Sequence, residues 1–290
     1  MKVLILGCGY TGKRLAQWLV QQKIEVYGTY RSASPRPEPN IPMFPFACAT
    51  GSNVIPLPNA ALENVTHVVS TIAPDDQGID PVAASLMPLL QGASLQWFGY
   101  LSTTGVYGDT QGAWVNEDSP LNPQNVRSQH RVTIEATFLN SGLPAHIFRL
   151  PGIYGPGRSI LDKLRAGTAQ NIAKPGHVFS RIHVDDIVQT LGKSMRSPQP
   201  GSIYNVADDE PSESSNLIKW GAELLNLTPP TAQLYSQANL SPMAASFWSE
   251  CRRIRNTKIK RALGVQLMYP TYREGLQAIF AAESATQPSL

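Results

Sequence analysis

The stretch VLILGCGYTG, at residues 3–12, runs from a short apolar segment into a glycine-rich turn. Residues 13–19 then follow a helical pattern, which places the turn between a strand and a helix. In such a turn Gly7 permits tight bending, Gly9 lets backbone N–H groups approach a pyrophosphate, and Gly12 lets the helix pack on the strand. The spacing predicts a dinucleotide-binding loop, to which we also assign Tyr10 and Thr11. A glycine turn that packs without a ligand is the alternative.

The second strand bears on which dinucleotide binds. Residues 24–30 read as a buried strand, at whose end an NAD-binding unit has an acidic residue that accepts a hydrogen bond from the ribose. Here Arg31 and Ser32 follow instead. A guanidinium beside a hydroxyl suits a 2′-phosphate. We therefore predict NADP as the cofactor and leave NAD open; the alternative is that Arg31 only begins a solvated loop.

The composition is typical of an enzyme without nucleic-acid or membrane partners. The chain has 290 residues, a formal net charge of +3 and 16% charged residues, which gives no electrostatic case for nucleic acid. Cys8, Cys48 and Cys251 are too few and too scattered for a disulfide framework or a zinc site, so we predict a cytoplasmic protein and no metal. We see no signal peptide and no membrane-spanning run. The sequence leaves the oligomeric state open, including a homodimer.

Strand and helix patterns alternate through the first half of the chain. Beyond the elements already named, we predict strands at 43–46, 65–72, 95–102 and 145–150 and helices at 81–90 and 126–139. The proline-rich remainder of 31–58 should be irregular. Such alternation indicates an α/β protein with a doubly wound parallel sheet, the Rossmann arrangement.

From residue 101 onward the chain resembles the extended short-chain dehydrogenase/reductases, the NAD-dependent epimerase/dehydratase relatives. The segments that carry the resemblance are LSTTGVYG (101–108), FRLPGIYGPG (148–157), IHVDDI (182–187), IYNV (203–206), NTKI (256–259) and Leu263-Gly264. Their order and separation match that family from the first residues to about residue 280.

The resemblance implies roles for particular residues. Thr103 corresponds to the Ser or Thr that binds the substrate hydroxyl or carbonyl, and Thr71 and Pro151 are assigned to the cofactor site. The family's catalytic Tyr and Lys, aligned through Glu135, fall on Arg127 and Arg131. Arginine stays protonated and cannot replace the tyrosine as a proton carrier. This departure, with the shortened first glycine spacing, is similar to the atypical branch and within it to the uncharacterised bacterial YeeZ-type proteins.

Other groups are then candidates for the chemistry. His130 and Tyr107 are candidate proton carriers, and Arg131 is a candidate cofactor contact. The alternatives are a surface histidine, an aromatic side chain packed beneath the nucleotide loop, and an exposed Arg131–Glu135 pair worth about 0.3–0.5 kcal/mol.

Three arginines indicate an anionic substrate. Arg127 lies on the predicted catalytic helix, while Arg158 and Arg181 lie near the expected lobe junction, and a buried guanidinium needs an anion. Alternatively, Arg158 and Arg181 pair with carboxylates, of which the candidates are Asp162, Asp185 and Asp186. We read Asp185, with His183 and Asp186, as part of a capped helix start rather than a metal cluster.

We therefore expect a Rossmann lobe of residues 1–152 with a return segment at 183–207, a smaller α/β substrate-binding lobe of residues 153–182 and 208–280, and a tail at 281–290. The predicted function is an NADP-dependent oxidoreductase or epimerase-like enzyme acting on a small polar, anionic metabolite. The alternative is a non-catalytic NADP-binding sensor, which the missing Tyr-Lys pair favours.

Overall fold

The computed structural model describes residues 1–31, 38–47 and 55–286. In these ranges the chain forms thirteen strands, which in order are β1 (Lys2–Leu6), β2 (Glu25–Tyr30), β3 (Met43–Pro45), β4 (His67–Ser70), β5 (Trp97–Thr103), β6 (Trp114–Val115), β7 (Ala145–Leu150), β8 (Gly152–Tyr154), β9 (Ile172–Ala173), β10 (Arg181–His183), β11 (Ile203–Asn205), β12 (Gln233–Leu234) and β13 (Arg253–Ile254).

Seven of these strands form one sheet in the order β11-β7-β5-β4-β1-β2-β3, and every pairing in it is parallel. From β1 the chain winds in one direction through β2 and β3, then returns beside β1 with β4 and continues in the other direction. The predicted α/β class with a doubly wound parallel sheet is thus confirmed. The reversal lies between β1 and β4, and ligands of such sheets bind beyond the carboxyl ends of strands at this point.

The same ranges contain ten α-helices, which are α1 (Tyr10–Gln21), α2 (Pro81–Ser85), α3 (Met87–Gly92), α4 (Val126–Leu139), α5 (Ile160–Arg165), α6 (Val184–Arg196), α7 (Ser214–Leu224), α8 (Pro242–Trp248), α9 (Thr257–Leu263) and α10 (Tyr272–Thr286). The predicted helix at 126–139 is α4, with the same bounds. The predicted helix at 81–90 is two short helices, because Leu86 ends α2 and Pro88 lies in the first turn of α3.

Helices cover both faces of the large sheet because each central strand is apolar on both sides. Along β1, Val3 and Ile5 enter one hydrophobic cluster and Leu4 and Leu6 the other, as the two-residue period of a strand requires. Apolar residues of α1, α6 and α9 complete the first cluster, and those of α2, α3 and α4 complete the second.

The remaining strands form three two-stranded parallel pairs, β8–β10, β9–β12 and β6–β13. Separate hydrophobic clusters join α5, α7 and α10. The lobe boundaries stay a prediction. The predicted boundaries assign α9 to the smaller lobe, but α9 packs on the core of the large sheet. Residues 281–286, expected to be tail, continue α10. Among the described residues, no helix is both long and apolar enough to cross a membrane.

A buried ion pair holds α4 against the sheet. The Arg149 guanidinium on β7 donates to both carboxylate oxygens of Glu135 on α4, with the Nη2–Oε2 distance at 2.7 Å, and both side chains are at most 3% exposed. Ser102 of β5 donates to the same carboxylate, and Arg149 also donates to the Tyr107 hydroxyl. With these hydrogen bonds the charges are satisfied inside the protein.

We predict that Glu135→Gln lowers the free energy of unfolding by about 3–5 kcal/mol, because it leaves the Arg149 charge buried without its counterion. Urea unfolding of the wild type and the variant measures the difference. Glu25→Gln is the control: Glu25 pairs with Lys2 at 3.3 Å with a side chain 58% exposed, and its loss should cost less than about 1 kcal/mol. Equal small losses in both variants would contradict the prediction.

Candidate functional site

A cleft of about 720 Å³ lies beyond the carboxyl ends of β1, β4, β5 and β7. Its wall on the side of the large sheet combines residues that follow these strands, among them Gly9, Thr71, Thr103 and Pro151. Residues between β9 and β10, such as Phe179, and residues in and after α8, such as Trp248 and Glu250, form the opposite wall. The cleft is therefore at the position where doubly wound sheets bind ligands.

The glycine loop has the shape that a dinucleotide requires. Gly7 has a φ of +87°, and a Cβ there would lie 2.7 Å from Ile72 Cγ1. A Cβ on Gly12 would lie 2.7 Å from the Gly7 carbonyl oxygen, whereas one on Gly9 would meet no atom within 4 Å. Gly7 and Gly12 thus serve the fold, and Gly9 leaves open space at the cleft. Tyr10, Thr11 and Thr71 line the cleft beside it, and the Thr71 hydroxyl donates to the Gly7 carbonyl.

Only one of the two residues predicted to distinguish NADP from NAD lies in the part of the chain that the structure describes. Arg31 is exposed at the end of β2, and Ser32 lies outside the described residues. The structure also brings a carboxylate to this region. Glu38 forms an ion pair with Lys13 in the first turn of α1, and its side chain is only 8% exposed. No sequence pattern indicates this contact, because Glu38 lies eight residues after the end of β2.

The α4 face carries Arg127 and Arg131, the residues that the predicted alignment places at the positions of the family's Tyr and Lys. Arg131 lines the cleft and donates to the Tyr100 hydroxyl and the Leu101 carbonyl, both at 2.8 Å. Arg127 and His130 line a recess of about 250 Å³ next to the cleft. The Arg127 guanidinium is exposed and donates to Ser246 Oγ at 2.8 Å. The alternative of an exposed Arg131–Glu135 pair is wrong, because Glu135 is buried against Arg149.

The two candidates from the 103–107 segment separate. Thr103 lines both the cleft and the recess, and its hydroxyl oxygen accepts a hydrogen bond from the Gly105 amide. Tyr107 is 1% exposed and is not among the residues that line either cavity. Its hydroxyl donates to Asn205 Oδ1 and accepts from Arg149. The placement corrects the proton-carrier hypothesis for Tyr107: its ring is packed in a cluster with Val115, Ala207 and Ile254, not beneath the nucleotide loop as the alternative predicts.

Arg158 and Arg181 both line the cleft but differ in their partners. Arg158 is exposed, with its guanidinium 5.4 Å from the centre of the Tyr10 ring. Arg181 is buried and donates to the Phe179 carbonyl and to Ser212. Burial lowers the pKa of this guanidinium from its ordinary value, and the Asp208 carboxylate opposes that shift.

The carboxylates proposed as partners of these two arginines have other contacts. Asp162 accepts from the backbone and hydroxyl of Ser159 in a capping box, Asp185 pairs with Arg14, and Asp186 accepts from two backbone amides at 268 and 269. The helix cap of α6 is the His183 side chain, not Asp185 as expected; it accepts from the Asp185 amide.

Sequence reasoning missed the acidic residue at the centre of the site. Five residues line both the cleft and the recess and so mark their junction, namely Thr103, Arg131, Phe247, Glu250 and Arg252. Glu250 is 7% exposed and accepts hydrogen bonds from Asn125 Nδ2 at 2.9 Å and from Arg252 Nη1 at 2.7 Å. None of the motifs contains Glu250, and 125 residues separate it from Asn125, so only the fold could reveal it.

An aromatic group supports the far wall of the cleft. Trp248 and Phe179 line the cleft, and the His177 ring contacts both, stacked on Trp248 at 5.3 Å between centroids. The His177 Nε2 atom is buried without a hydrogen-bond partner among the described residues. Burial lowers the pKa of His177 to about 4, and the nearby Lys174 charge adds to the effect. The wall is therefore built around a neutral imidazole.

Comparison with known proteins gives consistent results. The model of a family described as the NAD dependent epimerase/dehydratase family matches residues 3–207. Protein YeeZ of Escherichia coli (strain K12) is 32% identical over 134 residues, 45% of this chain and 47% of YeeZ, so the chain matches about half the length of this curated relative. The resemblance predicted from the sequence motifs is confirmed.

Solved structures match over nearly the whole chain. A functionally unknown conserved protein from Silicibacter pomeroyi DSS is 42% identical, with a TM-score of 0.85 and coverage of 97% of this chain and 99% of that one. UDP-glucuronic acid 4-epimerase from Bacillus cereus, solved in complex with NAD, is 16% identical, with a TM-score of 0.77 and coverage of 97% and 96%. At that identity the likeness shows the fold.

We predict that acid destabilises the protein through His177. The folded state holds the pKa of His177 near 4, whereas the unfolded chain has the ordinary value near 6.5, so between these values the unfolded state binds more protons. Stability is therefore lost as the pH falls below about 6.5, by about 2 kcal/mol between pH 7 and pH 5 for one such group. Urea unfolding at both pH values should show a smaller loss in His177→Gln than in the wild type. An unchanged loss would refute the assignment.

Proposed function

Because the chain belongs to the NAD-dependent epimerase/dehydratase family, we propose that it is an NAD(P)-dependent oxidoreductase or epimerase-like enzyme that acts on a small polar, anionic substrate. The observation that carries the proposal is the cleft at the point where the strand order of the sheet reverses. This cleft contains both the open glycine loop and the junction with the buried Glu250 carboxylate. The complex of the Bacillus cereus neighbour with NAD supports a nicotinamide dinucleotide as cofactor.

The residues present fit such a cofactor. Gly9, Tyr10 and Thr11 would hold its diphosphate, and Thr71, Arg131 and Pro151 would line the remainder of its site. When bound, the dinucleotide supplies hydride transfer, while the protein binds and orients the reactants and manages the proton.

We assign proton transfer to Glu250. In the oxidation of an alcohol, the O–H proton must pass to a base as the C–H hydride leaves. Arg127 and Arg131 cannot accept a proton, and Tyr107 is engaged in the core. The Glu250 carboxylate lies at the junction with Thr103. Its two partners, Asn125 and Arg252, are both hydrogen-bond donors, so the carboxylate acts as an acceptor in both contacts. His130 is the rival base, since it lines the adjoining recess.

The proposed anionic substrate rests on cationic side chains at the junction and recess. The exposed Arg127 has no carboxylate partner among the described residues, and Arg131 bonds only neutral oxygens there. A carboxylate or phosphate on the substrate would give either guanidinium a charged partner.

The second candidate is a non-catalytic NADP-binding sensor. One contact favours it: Arg127, at the position of the family's tyrosine, is engaged with Ser246. The two functions are distinguished by mixing the protein and either oxidised or reduced cofactor with a panel of sugars, sugar acids and hydroxy acids while following the absorbance of the reduced nicotinamide. Turnover supports the enzyme, whereas cofactor binding with no turnover by any compound supports the sensor.

We predict that NADPH binds at least tenfold more tightly than NADH, and that Arg31→Ala removes most of this preference. A charge-assisted contact of this kind contributes about 1.5–3 kcal/mol, and tenfold corresponds to about 1.4 kcal/mol. Fluorescence titration with both reduced cofactors measures the ratio. Glu38→Gln is the companion variant, since Glu38, which pairs with Lys13 of α1, is the first carboxylate after the end of β2. Tighter binding of NADH that weakens in Glu38→Gln would overturn the NADP assignment.

We predict that Glu250→Gln lowers turnover at least a hundredfold, since a positioned base contributes about 10²–10⁴ in rate. Cofactor affinity should be unchanged. Glu210→Gln is the control, because Glu210 is another carboxylate that pairs with an arginine, Arg273. This variant should retain full turnover. If His130→Gln loses turnover and Glu250→Gln does not, the base is His130.

A further inference from the structure

The turn at residues 155–158 is docked on the glycine loop. The Tyr10 hydroxyl donates to the Pro156 carbonyl at 3.1 Å, and a Cβ on Gly155 would lie 2.5 Å from the same hydroxyl oxygen. Two backbone hydrogen bonds between Gly155 and Arg158 close the turn. The residue after it, Ser159, caps α5 and so fixes where the turn ends. Tyr10 thus holds the turn beside Gly9.

Arg158 is the side chain that this turn brings to the loop. Its guanidinium lies 5.4 Å from the centre of the Tyr10 ring and lines the cleft together with Gly9 and Thr11. Among the described residues no carboxylate pairs with it, since Asp162 is held by Ser159. By contrast, Arg14 in the first turns of α1 is already paired with Asp185.

We propose that Arg158 binds the diphosphate of the dinucleotide, so that the cofactor is held between the glycine loop and the 155–158 turn. The inference rests on the proposed function and moves Arg158 from the substrate to the cofactor. A guanidinium forms two charge-assisted hydrogen bonds with a phosphate, and stacking on an aromatic face restricts the side chain before the ligand arrives. Tyr10 is then a positioning residue, because its ring supports the guanidinium and its hydroxyl anchors the turn.

The test is the affinity of purified full-length protein for NADPH, NADH and ADP-ribose, measured by calorimetry at low and high salt. ADP-ribose carries the diphosphate but no nicotinamide and no 2′-phosphate. Arg158→Ala should weaken all three ligands at least tenfold and flatten the salt dependence of binding. Arg158→Lys should fall between, and Tyr10→Phe, which keeps the ring, should weaken binding less than Tyr10→Ala. Melting temperatures should verify that each variant is folded.

The matched control is Arg165→Ala, which removes an arginine of α5 that pairs with Glu283 and does not line the cleft; it should bind as the wild type does. If the wild type binds the ligands and Arg158→Ala binds them equally well, the inference is wrong and the proposed function stands. If Arg158→Ala weakens NADPH alone, Arg158 contacts the 2′-phosphate and not the diphosphate. If the wild type binds neither dinucleotide, the proposed function fails and this inference with it.

Discussion

The buried ion pair between Glu135 and Arg149 determines which face of α4 meets the cleft. It ties the middle of the helix to β7, and through Ser102 to β5. Arg131 lies one turn before Glu135 and Arg127 two turns before it, so both are on the side of the helix that Glu135 turns toward the sheet. Without the pair, the orientation of α4 would depend on the apolar contacts of Ile134 and Phe138 and on the hydrogen bonds of Arg131 to β5.

The same constraint directs the amino-terminal end of α4 to the far wall of the cleft. Asn125 donates to Glu250 and Arg127 donates to Ser246. Arg127, which the predicted alignment places at the position of the family's tyrosine, thus contacts the 246–250 segment, and that segment presents a carboxylate to the junction. A proton acceptor supplied by the opposite wall is consistent with an intact scaffold and a missing Tyr-Lys pair.

The sequence predicted most of the large sheet because its signals are local. Periodicity places α4 and the central strands within one or two residues, and the glycine spacing predicts the loop that the structure shows. The errors arose where tertiary contacts decide. An exposed Arg131–Glu135 pair was one alternative, because a helical period does not show which of two arginines, Arg131 or Arg149, a carboxylate meets. Tyr107 was a candidate acid because a sequence motif does not show whether the tyrosine hydroxyl faces a cleft or Asn205. Glu250 had no local signal.

The arginines that line the cleft carry the same formal charge, but they differ in whether the guanidinium group is already engaged within the protein. Arg181 looks like an anion ligand in the sequence, yet two of the groups that accept hydrogen bonds from it are backbone carbonyls, and a guanidinium engaged this way stiffens a loop more than it attracts a ligand. Arg252 is neutralised by Glu250. Besides Arg181, the arginines of the cleft and recess that form no ion pair with a carboxylate among the described residues are Arg127 and Arg131 at the junction and recess and Arg158 at the glycine loop. Arg158 at the glycine loop forms one group and Arg127 and Arg131 form the other, as the proposed binding of a dinucleotide diphosphate and of an anionic substrate requires.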